Sequence, residues 1–215
     1  MFDAHSHFPS PDAILCSSNL EIPLEPAFAR GIGLLPQYLS DGTVEKLEDL
    51  LFHSEDFFIG EVGLDRRFID RMPLLKQIEE LRKILQAARQ RSRPVTLHCV
   101  RADGHMVRVI KEFQDVKFLW HGFNGSLETG EELLGLGVLV SVRPGFGEGA
   151  RALLAAHPDR ILVESDYTGA DAHLYNEILA SNYEEAAKAA GIKPEQLEEN
   201  ARALGKIFTH KQIHR

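Results

Sequence analysis

Residues 57–65 read Phe57-Phe58-Ile59-Gly60-Glu61-Val62-Gly63-Leu64-Asp65, and residues 94–99 read Pro94-Val95-Thr96-Leu97-His98-Cys99. Between them Leu74, Leu75, Ile78, Leu81, Ile84, Leu85 and Ala88 recur at helical spacing, which makes one apolar stripe on a helix. Pro73 suits the first turn of that helix, with Asp70 or Met72 near its start, because the missing N–H costs nothing there. The flanking runs, Phe57 to Val62 and Pro94 to Cys99, are short, continuous and apolar, as strands buried on both faces are. Strand, helix and strand in this order are the unit of a parallel sheet.

The same alternation extends in both directions. Further apolar runs lie at Phe2–Ala4, Ala13–Cys16, Gly31–Leu35, Val116–Trp120, Val138–Val142 and Arg160–Val163. Helical patterns follow at Met106, Val107, Ile110 and Phe113, at Leu127–Leu134 behind the candidate N-cap Ser126, and at Gly149–His157. The C-terminal part is helical at Leu174, Ile178 and Leu179, at Glu184–Ala190, and in a last helix opened by Pro194 that carries Leu197, Ala201, Leu204, Ile207 and Phe208. Eight runs with intervening helices predict an α/β fold, a TIM-type (β/α)8 barrel. His7 to Ala13 leaves no room for a helix, and Cys16 to Gly31 leaves room for a turn or two. The first outer helices are therefore expected to be shortened or missing.

The length of 215 residues suits one domain over residues 1–215 with one core. Hydrophobic residues are 44% and charged residues 26%, a globular balance, and the formal net charge of −8 lacks the basic footprint of a nucleic-acid binder. Cys16 and Cys99 do not make a disulfide framework. The opening Met1-Phe2-Asp3-Ala4-His5 has neither the charged nor the apolar region of a signal peptide, and no run is long enough to span a membrane. A cytoplasmic monomer without membrane contact is the expectation.

The chemistry sits at the ends of the runs. His5 and His7 are two apart, so on a strand both face the same way and can grip one metal ion. Glu61 follows Phe57-Phe58-Ile59, His98 and His121 end the fifth and sixth runs, and Asp166 closes Val163-Glu164-Ser165-Asp166. Barrel enzymes place their catalytic residues at these C-terminal strand ends, and a buried carboxylate such as Glu61 needs a partner or a metal. Imidazoles with carboxylates and no thiolate suit zinc, manganese, magnesium or iron. His5, His7, Glu61, His98, His121 and Asp166 are more donors than one tetrahedral zinc takes. We therefore expect two divalent ions: His5, His7 and Asp166 on one, His98 and His121 on the other, Glu61 between. Such a pair acidifies a bound water, and Asp166 is placed to take its proton. Asp65 is a candidate to hold a ligand histidine from behind. Arg66, Arg67, Arg101 and Asn124 are candidate substrate contacts, and Phe8, Phe146 and Tyr167 candidate wall residues. His53, His105, His157, His173, His210 and His214 fall in or near helices and read as solvated side chains.

The series DAHSHF (3–8), GEVGLD (60–65), PVTLHC (94–99), WHGFNGS (120–126) and ILVESD (161–166) resembles the TatD family of metal-dependent deoxyribonucleases, within the amidohydrolase superfamily. The segment Asn200–Phe208 is similar to that family's final helix. The resemblance implies a TIM barrel, divalent metal, hydrolysis of DNA phosphodiesters, and metal-binding roles for the histidines and acids named above, Glu61 and Asp166 being catalytic. The chain departs from the family where a Gly-x-His-Pro is expected: it reads Gly33-Leu34-Leu35-Pro36. The stretch Asp166-Tyr167-Thr168-Gly169-Ala170-Asp171 is short and lacks the family's Ser-Pro and basic residues, and Val100 intervenes before Arg101. These departures leave the substrate open: a phosphodiester such as DNA, another small hydrolysable bond (lactone, cyclic amide or amine) on the same metals, or a non-catalytic metal-binding barrel.

Overall fold

A computed structural model describes residues 1–53, 56–143 and 145–209. The strands are β1 (Asp3–Ser6), β2 (Ala13–Cys16), β3 (Ala29–Leu34), β4 (Phe57–Asp65), β5 (Val95–Val100), β6 (Phe118–Trp120), β7 (Leu139–Val142) and β8 (Ile161–Val163). They form one parallel sheet in chain order, β1 to β8. The helices are α1 (Thr43–Phe52), α2 (Leu74–Gln90), α3 (Asp103–Glu112), α4 (Leu127–Gly135), α5 (Glu148–Ala156), α6 (Ala172–Ala190) and α7 (Pro194–Gly205). The sheet curls round until its edges meet just beyond β8, where Asp166 N–H donates to His5 O and His7 N–H to Tyr167 O. Asp3, fully buried, accepts from Ser165 N–H at 2.9 Å and from the Ser165 hydroxyl, sewing β1 to the same segment. The expected barrel is what the chain forms.

No helix links β1 to β2 or β2 to β3, as the short spacings require. α1 was not legible as a helix in the sequence analysis, although Val44, Leu47 and Leu51 are its buried stripe. The patterns at Leu174–Leu179 and Glu184–Ala190 are one continuous 19-residue helix, α6. Its middle is polar yet anchored: Asn182 Nδ2 donates to Glu164 O at 2.7 Å and the Tyr183 hydroxyl to Phe2 O at 2.7 Å. Leu75, counted in the stripe of α2, is 74% exposed; Ile78, Leu81, Ile84, Leu85 and Ala88 are the residues that face the core. Ser126 caps α4 by accepting from Thr129 N–H.

Two apolar layers follow from strand alternation. One set, including Ile59, Leu97, Trp120, Val140 and Val163, packs against the helices. The other, including Ala4, Ile14, Phe58, Leu119 and Leu162, joins Phe2 and Phe208 in a second cluster. Gly31 makes room there, since a Cβ would stand 2.2 Å from the Phe58 ring. This layer floors the barrel, and the polar side chains gather above it at the strand ends.

Candidate metal centre

Each of the predicted residues is delivered by backbone geometry. β4 carries one residue more than its neighbours: Ile32 pairs with Ile59 and Leu34 with Val62, while Ile59 pairs with Val95 and Val62 with Leu97. An extra residue of this kind re-aims a side chain, and it falls at Gly60-Glu61. Glu61 thus lies inside a nine-residue strand and not at its end, where the sequence analysis placed it. Glu61 N–H donates across to Ser17 O at 2.7 Å. That contact passes over Gly33, where a Cβ would stand 2.2 Å from Ser17 O and 2.3 Å from Glu61 N. His98 lies on β5, and a Cβ on Gly63 would stand 1.8 Å from the His98 carbonyl oxygen. Asp166 sits past β8 with φ +50°, the left-handed region, which turns its side chain back toward β1.

The side chains converge about Glu61. Its Oε1 is 3.2 Å from His7 Nε2. Its Oε2 is 3.0 Å from His121 Nε2, 3.3 Å from His98 Nδ1 and 3.9 Å from His5 Nε2. Asp166 Oδ1 is 3.7 Å from His5 Nε2 and 3.8 Å from His7 Nε2. Three overlapping groups have the reach to hold a cation: His5, His7 and Glu61; His5, His121 and Asp166; Glu61, His98 and His121. The donor chemistry fits a divalent metal. His5 is fully buried, and neither of its ring nitrogens has a hydrogen-bond partner, an uncommon state for a buried polar group that ligation of a metal would relieve. His98 Nδ1 and His121 Nε2 face each other at 3.2 Å, a distance that calls for a shared proton or a cation.

Carboxylates hold the outer side of two imidazoles. His98 Nε2 is 3.1 Å from Asp65 Oδ2, and Arg67 grips Asp65 in turn through Nε and Nη2. His121 Nδ1 is 3.4 Å from Glu164 Oε1, and the Ser141 hydroxyl donates to Glu164 Oε2. Such partners fix ring orientation and tautomer.

Burial sets the protonation states. It pushes His5 well below the ordinary imidazole value, with His121 adding repulsion. It also works against charge on His121, His7 and His98, but the carboxylates beside them outweigh it and raise all three, His121 most. Burial would raise Glu61, yet hydrogen bonds with His121, His7 and His98 hold it well below the usual carboxylate range. Asp166 is raised by burial, against the pull of His121.

The other candidates divide. Arg67 is committed to Asp65. Arg66 and Arg101 are exposed, and among the described residues neither forms an ion pair. Asn124 Oδ1 accepts from Gly147 N–H and so ties its loop to the start of α5. Phe8 and Tyr167 meet edge to face, and both pack at a tilt against Tyr175. Phe146 is 7% exposed, packs in the core beneath Arg151, and is no wall of the site. Among the remaining histidines, His53, His157 and His173 pair with surface acids, whereas His210 and His214 lie outside the described residues. The sequence analysis missed Glu164 and Arg143. Glu164 carried a signal, an acid directly after the apolar run Ile161–Val163. Arg143 Nη1 lies 3.1 Å from Asp166 Oδ2, and nothing in the chain order pairs those residues. A cavity of about 370 Å³ opens over the cluster, lined by His7, Glu61, His98, His121 and Asp166, and also by Ser18, Leu35, Gln37 and Thr168.

Residues 21–208 match the model of the family described as TatD related DNase. A human protein named as a 3'-5' RNA nuclease, TATDN2, is 31% identical over 152 residues, which is 66% of this chain and 19% of that protein. This chain therefore spans about a fifth of that relative's length. Among solved structures, a TatD homologue from Escherichia coli K12, YJJV, superposes with a TM-score of 0.81 at 20% identity, covering 97% of each chain. A TatD family hydrolase from Entamoeba histolytica superposes at 0.74 with 14% identity, over 92% of this chain and 84% of that one. These likenesses carry the fold. With the family match running from the segment before β3 to the turn after α7, and so over six of the eight strands, this chain belongs to the TatD family of metal-dependent hydrolases.

Proposed function

We propose that the protein is a phosphodiesterase acting on nucleic acid, DNA or RNA, whose cluster would hold two divalent ions with Glu61 contributing to both. The observation that carries this reading is the split of the Glu61 carboxylate, Oε1 toward His7 and Oε2 toward His98 and His121. On this reading His5, His7 and Asp166 hold one ion, and His98 and His121 the other; zinc, manganese, magnesium and iron all suit the donors. Ions so placed supply an acidified water and neutralise charge on the phosphoryl oxygens. The chain's own part is to hold and to orient. Asp65 and Glu164 fix the rings of His98 and His121, and the bulge in β4 fixes Glu61. Asp166 Oδ1 faces the cluster and is the atom placed to accept the proton of the attacking water. The RNA nuclease name of the human relative supports a nucleic-acid substrate.

The test is cleavage of bis(p-nitrophenyl) phosphate, single-stranded DNA and RNA by metal-stripped protein refilled with magnesium, manganese or zinc. Metal-restored cleavage that falls on the order of a hundredfold or more in Glu61→Ala is expected. Metal bound without cleavage of any phosphodiester would sink the reading. It would favour a second one, hydrolysis of an uncharged bond such as a lactone or cyclic amide. The observation behind that second reading is that the rest of the cavity lining, Ser18, Leu35, Gln37 and Thr168, is uncharged.

A further inference from the structure

We propose that Arg143 is the residue that receives the anionic group of the substrate, with Asp166 as its partner at rest. The inference rests on the phosphodiesterase reading for the identity of the anion, and on the geometry alone for the existence of the site. Among the described residues no lysine or arginine lines the cavity itself, so the negative charge that a phosphodiester brings there is to be met from the edge of the cavity. Of the basic residues near the site, Arg67 is bound by Asp65 through two nitrogens. Arg143 is the basic side chain, among the described residues, that forms an ion pair with a member of the cluster, at 3.1 Å from Asp166 Oδ2.

Three features make this contact unlike a structural ion pair. Its closest approach is 3.1 Å, Nη1 to Oδ2, and among the described residues no side-chain hydrogen bond ties Arg143 to Asp166, so the donors of Arg143 remain available to a second acceptor. The Arg143 side chain is 54% exposed, so that acceptor can come from solvent. Gly122, directly after His121, has φ +58°, and a Cβ there would stand 3.3 Å from Glu164 Oε1 and 3.7 Å from Arg143 Nε. The backbone turn after His121 thus lies within van der Waals reach of Arg143, which puts the guanidinium beside a residue of the cluster. A guanidinium suits this task because its planar fork matches two oxygens of a phosphoryl or carboxylate group. Asp166 keeps Oδ1 for the cluster while Oδ2 holds the fork in place.

The experiment uses metal-loaded protein and two readouts: calorimetric affinity for inorganic phosphate, and KM and kcat on bis(p-nitrophenyl) phosphate. Arg143→Ala is expected to weaken phosphate binding and raise KM by about ten- to a hundredfold, with metal content unchanged. Arg143→Lys, a point charge without the fork, is expected to recover part of the loss. The proposal is overturned if phosphate affinity and KM stay at wild-type values in Arg143→Ala, including the case where kcat alone falls, since that outcome reduces Arg143 to a prop for Asp166. Absence of phosphodiester cleavage by the wild-type protein would strike the function proposed above. The phosphate affinities of wild type and Arg143→Ala would still decide the anion site.

Discussion

At Gly33 a methyl group has nowhere to go: the space is taken by Ser17 O and Glu61 N, the two ends of the hydrogen bond that positions Glu61. Gly33→Ala is therefore expected to destabilise the fold by more than about 3 kcal/mol or to prevent soluble expression. Gly135→Ala, at the end of α4 with nothing near its added methyl group, is expected to leave stability unchanged or raise it by about 0.5 kcal/mol. Chemical denaturation of the pair checks both. The carboxylates behind the imidazoles act at the same scale. Asp65→Asn and Glu164→Gln keep side-chain volume but weaken the grip on His98 and His121. Each is expected to lower metal affinity about ten- to a hundredfold, measured by competition with a chelating dye; unaltered affinity in both would mean that packing alone orients the rings.

Between elements, the contact that matters most for the site is the one between α6 and β1. The Tyr183 hydroxyl donates to Phe2 O at 2.7 Å in a buried setting, three residues before His5. Tyr183→Phe removes the donor, leaves the carbonyl unsatisfied, and is expected to cost about 1–3 kcal/mol in thermal or denaturant unfolding. β1 lacks an outer helix on its β2 side, so this bond and the Asp3–Ser165 pair reinforce the seam that the backbone bonds of His5 and His7 close. The chain pattern showed the strands but not which helix would close over the first of them. That partner comes from the far end of the sequence, 181 positions away.

For the molecule as a whole, closure of the barrel buries acids and imidazoles together, and pH acts on the result. Burial pushes the Asp3 carboxyl up to about 7 from an ordinary 3.8. A raised acid favours the fold when protonated, so its contribution is full below 3.8 and is lost as pH rises toward 7. In metal-stripped protein, Asp3→Asn is expected to gain stability relative to wild type as pH rises from about 4 to about 8; a constant difference in unfolding free energy would refute this. Metal retention runs the other way. Histidine must be neutral to ligate, and His7, His98 and His121 are raised above the ordinary 6.5 by Glu61 and its neighbours. Metal affinity is therefore expected to weaken progressively as pH falls and protons compete for these rings, read as metal content after dialysis along a pH series.

The order of apolar runs and helical stripes was enough to read the eight-stranded barrel and its bare first sector, and to single out His5, His7, Glu61, His98, His121 and Asp166, which the fold gathers into one cluster. Period and position in a parallel barrel are local properties, and each of those donors sits where a single run stops or a bulge interrupts it. Contacts across the barrel are not local. That Arg67 is spent on Asp65, that Phe146 turns into the core, that Glu164 backs His121 and that Arg143 reaches Asp166 all depend on how strands curl and which side chains meet there. Tertiary structure decided those pairings, because distance in space between strand ends is set by closure of the sheet and not by separation along the chain.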